Sequence, residues 1–242
     1  MMRRNRMLLE PVSGKNPRFF DVDRDKLIAE YLVFRREGMS MNSQGSLDVA
    51  VNVAEKAIAS EIAGVTAATQ GIGDQLSAAL ELLHGTTGKI IVSGIGKPGH
   101  IGKKIAATMA STGSPAFFVH STEALHGDSG MAVPGDSAIL LSNSGTTAEV
   151  CAFASMLKSW GIPIVAMTKS KDSPLGKLAD VTLELKFGAE ADPLGLAPTT
   201  STTLKLILGD ALAVGLMQLS GFTPEEFGAR HPGGALGQQL TN

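Results

Sequence analysis

Four hydroxyl side chains crowd around one glycine in the segment "LLSNSGTTAEV": Ser142, Ser144, Thr146 and Thr147. An apolar run precedes them and a helix-forming run follows, so they sit where a strand hands over to a helix. Hydroxyl donors, backbone N–H groups without a helical partner and the positive end of the helix dipole converge there. That combination suits a single phosphate group. A helix cap with solvated hydroxyls accounts for one Ser or Thr, not for four. Glu149 follows within one turn. It reads equally as a carboxylate near a bound phosphorylated compound and as a helix-surface acid answering the dipole.

A second loop, "GIGKPGHIGKK", follows the apolar run "KIIVS". Gly94, Gly96 and Gly99 spell the dinucleotide fingerprint, yet no carboxylate ends the next strand "PAFFVH" to hold a ribose. The triphosphate P-loop fails as well, because Lys97 and Lys104 stand where that motif needs Gly and Ser or Thr. What is left is a tight glycine turn that brings backbone, Lys97 and His100 close to a smaller ligand. A third cluster, "KFGAEADPLGLAPTTSTT", supplies Glu190 and Asp192 after the last apolar strand and a second hydroxyl-rich helix start. Among the five histidines, His84 reads as structural and His120 as either structural or functional. His126 lies in the polar loop "EALHGDSG" and His231 in "RHPGG". None has metal-ligand spacing, so no metal is predicted. A phosphate seat, a lysine, one or two free carboxylates and one to three imidazoles together suit proton transfer beside the carbonyl of a phosphorylated sugar.

These residues need a scaffold that delivers them to one place. The segments "KIIVSG", "PAFFVH", "SAILLSNS", "IPIVAMT" and "VTLELK" are short apolar strands, and helical stretches alternate with them. Such alternation predicts a doubly wound α/β fold: a five-stranded parallel sheet with helices on both faces. Ligands in such sheets bind beyond the carboxyl ends of the strands, and every cluster above directly follows a strand. Two helices are expected to precede the sheet. The first, "SLDVAVNVAEKAIASEIAGV", has Ser46 as its N-cap, and the second, "IGDQLSAALELLHG", stops at Gly85. Residues 1–45 read as an extension, disordered apart from a short helix at Asp25–Arg36, and residues 46–242 as one domain. The chain has 242 residues, a net charge of −2 and one cysteine, Cys151. The charge offers nothing to nucleic acid or to an anionic membrane. The single thiol excludes an intrachain disulfide. No apolar run approaches the roughly 18 residues of a membrane span, and a cytoplasmic protein is expected.

The stretches "SGIGKPGHIGKKIAATMASTGSPAFFVHSTEALHGDSGM", "SNSGTTAEV", "PLGLAPTTSTT", "LGDALA" and "HPGGALG" resemble the sugar isomerase (SIS) domain of the arabinose-5-phosphate isomerases over residues 46–240. The resemblance implies interconversion of D-ribulose 5-phosphate and D-arabinose 5-phosphate through an enediol, without metal or organic cofactor. In that family the product feeds Kdo and lipopolysaccharide synthesis. The resemblance carries catalytic roles onto Lys97, His126, Glu149, Glu190 and His231, and the phosphate cradle onto Ser142, Ser144 and Thr147, which Thr146 joins by position. It further implies a homotetramer with sites shared between subunits, so that His126 and His231 are expected to serve a neighbour. This chain departs from the family pattern in ending without paired CBS domains, so regulation through such modules is not expected. It also has Pro98 where Ser is usual, and "GAEADP" where Lys-Glu-Ala-Cys-Pro is usual. Asp192 beside Glu190 is expected to raise the Glu190 pKa. An isomerase or lyase of a hexulose 6-phosphate, and a non-catalytic sugar-phosphate sensor, are the alternatives.

Overall fold

The computed structural model describes residues 43–233. The expected helix at Asp25–Arg36 and the terminal "GALGQQLTN" lie outside the described residues. The chain divides into two units, Met1–Asn42 and Ser43–Asn242. In the second unit, helix α1 (Ser43–Thr69) and helix α2 (Gly73–His84) lead into strand β1 (Ile90–Gly94). Then come α3 (Gly96–Ser111), β2 (Ala116–His120), the one-turn α4 (Ser121–Ala124) and a 3-10 turn (Asp128–Met131). The remainder is β3 (Ser137–Leu141), α5 (Ala148–Ser159), β4 (Ile164–Thr168), α6 (Pro174–Leu178), β5 (Val181–Glu184), α7 (Thr200–Ser220) and α8 (Pro224–Arg230). Ser46 is not a cap: α1 already runs from Ser43, and Ser46 lies in its first turn. Gly85 does end α2, its N–H donating to the carbonyls of Glu81 and Leu83.

The five strands are all parallel, in the order β2-β1-β3-β4-β5. Both faces of the sheet are covered, which is why the central strands β3 and β4 read as apolar runs, while the edge strand β5, "VTLE", alternates. Side chains of β1, β3 and β4 still alternate in direction. Ile90, Val92, Ile139, Leu141, Val165 and Met167 join one core cluster, together with Leu204, Leu208 and Leu212 of α7. Ile91, Ala138, Leu140, Ile164 and Ala166 join the other, with Val150, Phe153 and Leu157 of α5. Each such buried large aliphatic or aromatic side chain contributes about 1.5–3 kcal/mol of transfer free energy. Helix α7 has the length and composition of a membrane span. In this fold it is a core helix: Leu204, Leu208, Leu212 and Leu216 are buried, and Lys104 of α3 pairs with Asp210 on its flank.

The strand order fixes where a ligand can sit. From β1 the chain crosses to β2 on one side, then returns to β3 on the other and continues outward to β5. The loops after β1 and β3 therefore leave the sheet in opposite directions and open a crevice at its carboxyl edge. Gly94 pairs in register with Leu141, so the two loops start side by side.

Candidate active site

The loop after β3 is held by its own hydroxyls. Ser142 is buried, its Oγ accepts the Gly145 N–H at 3.1 Å, and it shares a proton with Thr147 Oγ1 at 2.8 Å. Exposed Thr146 donates its hydroxyl and its N–H to Ser144 Oγ at 2.8 and 3.2 Å. Gly145 adopts φ +69°, and a Cβ there would lie 2.2 Å from Ser173 Oγ, so only glycine fits the turn. Leu175 N–H donates to the Gly145 carbonyl at 2.9 Å, docking α6 beneath the loop. The chain then enters α5 with Thr147 as a β-region cap that makes no side-chain capping bond. The first α5 ladder bond is Cys151 N–H to Thr147 O at 3.0 Å. The N–H groups before it point out of the helix end, towards the crevice. The half-buried Cys151 thiol donates to Gly145 O at 3.4 Å, and burial pushes its pKa up. Glu149, half-buried in the first turn, makes no side-chain hydrogen bond or ion pair with the described residues.

Across the crevice, Gly96 (φ +62°) turns the chain from β1 into α3 and puts Lys97 in the first helical turn, exposed at the same edge. His100, one turn along, is also exposed. The buried hydroxyls of Ser93 and Ser121, 2.7 Å apart, tie β1 to the start of α4. His120 has a structural role: its Nδ1 accepts the Thr122 N–H at 3.3 Å and caps α4. His126 follows α4, exposed, its N–H donating to Glu123 O at 2.9 Å.

Glu190 comes to this edge by capping α7 from outside. Its Oε2 accepts the N–H groups of Thr199 and Ser201 at 2.9 and 3.0 Å. Burial pushes its pKa up, but the hydrogen bonds from Ser201 and Thr199 and the charge of Lys205 outweigh that and hold it below the usual carboxylate range. The upward shift expected from Asp192 is therefore not found. Asp192 turns to its own loop instead, accepting N–H bonds from Leu194 at 3.0 Å and Ala197 at 2.9 Å. The second hydroxyl-rich helix start is thus satisfied internally by a carboxylate. The Thr200 hydroxyl beside it is fully buried and makes no hydrogen bond with the described residues.

Two residues that the sequence reading passed over join the site to α7. Lys205 is 0 % exposed, and its Nζ donates to Ser201 O at 3.0 Å and to Asn143 Oδ1 at 3.5 Å. Asn143 lies between Ser142 and Ser144, and its carbonyl accepts the Lys169 N–H at 3.0 Å. The signal was present: Ser201, Lys205 and Gly209, four apart, fall on the buried stripe of a helix that also carries Leu204, Leu208 and Leu212.

Among the described residues, His231 makes no hydrogen bond, ion pair or ring contact with the residues of this edge. It ends α8, stacked on Phe227 with ring centroids 4.0 Å apart and its Nδ1 2.8 Å from Phe227 O. A carbonyl only accepts, so Nδ1 is the donor in this contact. Arg230 lies over the Phe222 ring at 4.7 Å, and Phe222 packs on Gly113, just past the end of α3. Lys97 is at the other end of that 16-residue helix, about 24 Å away at 1.5 Å per residue.

The SIS domain family model matches residues 82–215. The chain is 50% identical over 200 residues to the arabinose 5-phosphate isomerase KdsD of Pseudomonas aeruginosa, covering 83% of this chain and 61% of that protein. It is 51% identical over 171 residues to the arabinose 5-phosphate isomerase KdsD of Escherichia coli O157:H7, covering 71% and 52%. The chain thus spans between 52% and 61% of the length of these two curated relatives. A solved structure of an E. coli CFT073 protein in complex with arabinose 5-phosphate superposes with a TM-score of 0.74 at 40% sequence identity, covering 79% of this chain and 100% of that one.

Proposed function

The chain belongs to the SIS-domain family, and from that footing we propose that it is an aldose–ketose isomerase interconverting D-ribulose 5-phosphate and D-arabinose 5-phosphate. The observation that carries this reading is the open N-terminus of α5, ringed by Ser144, Thr146 and Thr147, with the Glu149 carboxylate in its first turn unpaired among the described residues. The α5 N–H groups and these hydroxyls seat the phosphate, while Ser142 shapes the loop by holding Thr147. Glu149 takes a proton from C1 of the ketose as a proton arrives at O2, giving the enediol. The O1 proton then leaves and a proton returns to C2, giving the aldose. Lys97 stabilises negative charge on oxygen, and Glu190 stays ionised beside the reacting carbons. The imidazoles of His126 and His231 carry the oxygen-bound protons.

The absence of any contact between His231 and the residues of this edge, among the described residues, favours a shared site, with His231 of a second copy completing it. The exposed apolar face of α1, where Val49, Ile58 and Ile62 are each more than half exposed, supports self-association. So does the groove between α1 and α7 lined by Ala57, Ile58, Ile62 and Ile207. We take the assembly to be a cytoplasmic homotetramer supplying Kdo synthesis. Incubation with ribulose 5-phosphate in D₂O tests the activity: deuterium is expected at C2 of the arabinose 5-phosphate formed. Tight binding without exchange would overturn the isomerase in favour of a sensor.

A further inference from the structure

Lys205 is a charged side chain fully enclosed by protein, which is costly unless the charge is used. Two elements that build the site converge on it. Glu190 holds the N–H of Ser201 while Lys205 holds the carbonyl of the same residue, so carboxylate and ammonium grip one residue of the first α7 turn. The remaining Lys205 contact reaches Asn143, inside the loop that carries the hydroxyl cluster. We propose that Lys205 is a positioning residue that ties the Glu190 carboxylate to the Ser142–Thr147 loop, so that the ionised carboxylate of the site and the phosphate seat share one buried cation.

The charge balance is consistent with this linkage. The groups that act on Lys205 are Glu190, from the loop after β5, and Lys169, at the end of β4. Burial pulls the ammonium down to about 8, Glu190 holds the proton on, and Lys169 opposes it. Lys205 is therefore a cation at neutral pH, and its charge in turn lowers the Glu190 pKa. Lys169 carries its own ammonium over the Phe187 ring at 4.9 Å, so it faces the neighbourhood without pairing with Glu190.

The role rests on the isomerase reading, and its test separates the two. Lys205→Gln keeps a donor and loses the charge; Lys205→Met loses both. With interconversion followed from pH 5 to 9, both variants are expected to move the acid limb of kcat upward, because Glu190 loses a favourable charge. Only the Met variant is expected to raise KM for the sugar phosphate, several-fold, because Asn143 is released. A folded Met variant with the wild-type acid limb and KM overturns the proposal, whereas absence of turnover in the wild type overturns the isomerase reading instead. A second measurement needs neither activity nor a Lys205 variant. In ¹³Cε-lysine NMR of the wild-type protein, one lysine should titrate near 8 and move lower still in Glu190→Gln. If no lysine responds to Glu190→Gln, the linkage does not exist.

Discussion

Two helices start at the carboxyl edge of the sheet, both preceded by runs of Ser and Thr, and they end up chemically opposite. The N-terminus of α5 has no side-chain cap and leaves its first N–H groups facing the crevice. The N-terminus of α7 is closed by Glu190, which takes the N–H groups of Thr199 and Ser201 and lies above a buried lysine. A helix start binds an external anion only if the protein has not already supplied an internal one. On the proposed reading the first end would seat the substrate phosphate, and the second mounts the Glu190 carboxylate.

Glu149→Gln should have the largest effect on this contrast. It removes the carboxylate of the open end while keeping its shape, and kcat should fall by about 10²- to 10⁴-fold with KM little changed. Steady-state kinetics would show it, and near-normal turnover would take Glu149 out of the chemistry. Next comes the seat itself. Ser144→Ala combined with Thr146→Ala should raise KM by roughly 10- to 100-fold while sparing kcat, in line with about 1.5–3 kcal/mol for a hydrogen bond to a charged group. The same pair of changes should leave the melting temperature almost untouched, because both side chains are exposed.

The smallest expected effect is on stability and is read at the closed end, separately from any loss of turnover there. Glu190→Ala should cost about 1 kcal/mol in urea unfolding, as for a lost helix cap. The pH dependence has a definite sign. The folded pKa of Glu190 lies below its ordinary value, so its contribution is present above that ordinary value and is lost as pH falls through the folded one. The stability gap between wild type and variant should be widest near neutrality and close in acid. A gap that widened in acid would contradict the capping geometry.

The sheet was legible because strands buried on both faces leave continuous apolar runs, as the central β3 and β4 do. The open helix end was legible because a turn needing φ above zero announces itself as Gly145. The closed end was not. From sequence, "PTTSTT" looks like a second cradle, and only long-range geometry shows the Glu190 carboxylate folded back onto it. Asp192 misleads for a related reason: adjacency in sequence suggests repulsion, but its oxygens turn to Leu194 and Ala197. His120, which the sequence leaves open between structure and function, is a cap because the following residues form a single turn of helix.

Arg230, next in the chain to His231, lies over Phe222, which packs on Gly113 past the end of α3 remote from Lys97. On the proposed reading one chain would carry the anion seat and both carboxylates, with the His231 imidazole supplied by a second copy. Catalytic competence would become a property of the assembly rather than of the polypeptide. The selective constraint normally confined to a pocket would extend to Val49, Ile58 and Ile62, surface side chains of α1 that touch no substrate atom. If the proposed assembly holds, a drift to polar residues along that helix would lower turnover as the loss of a proton carrier would.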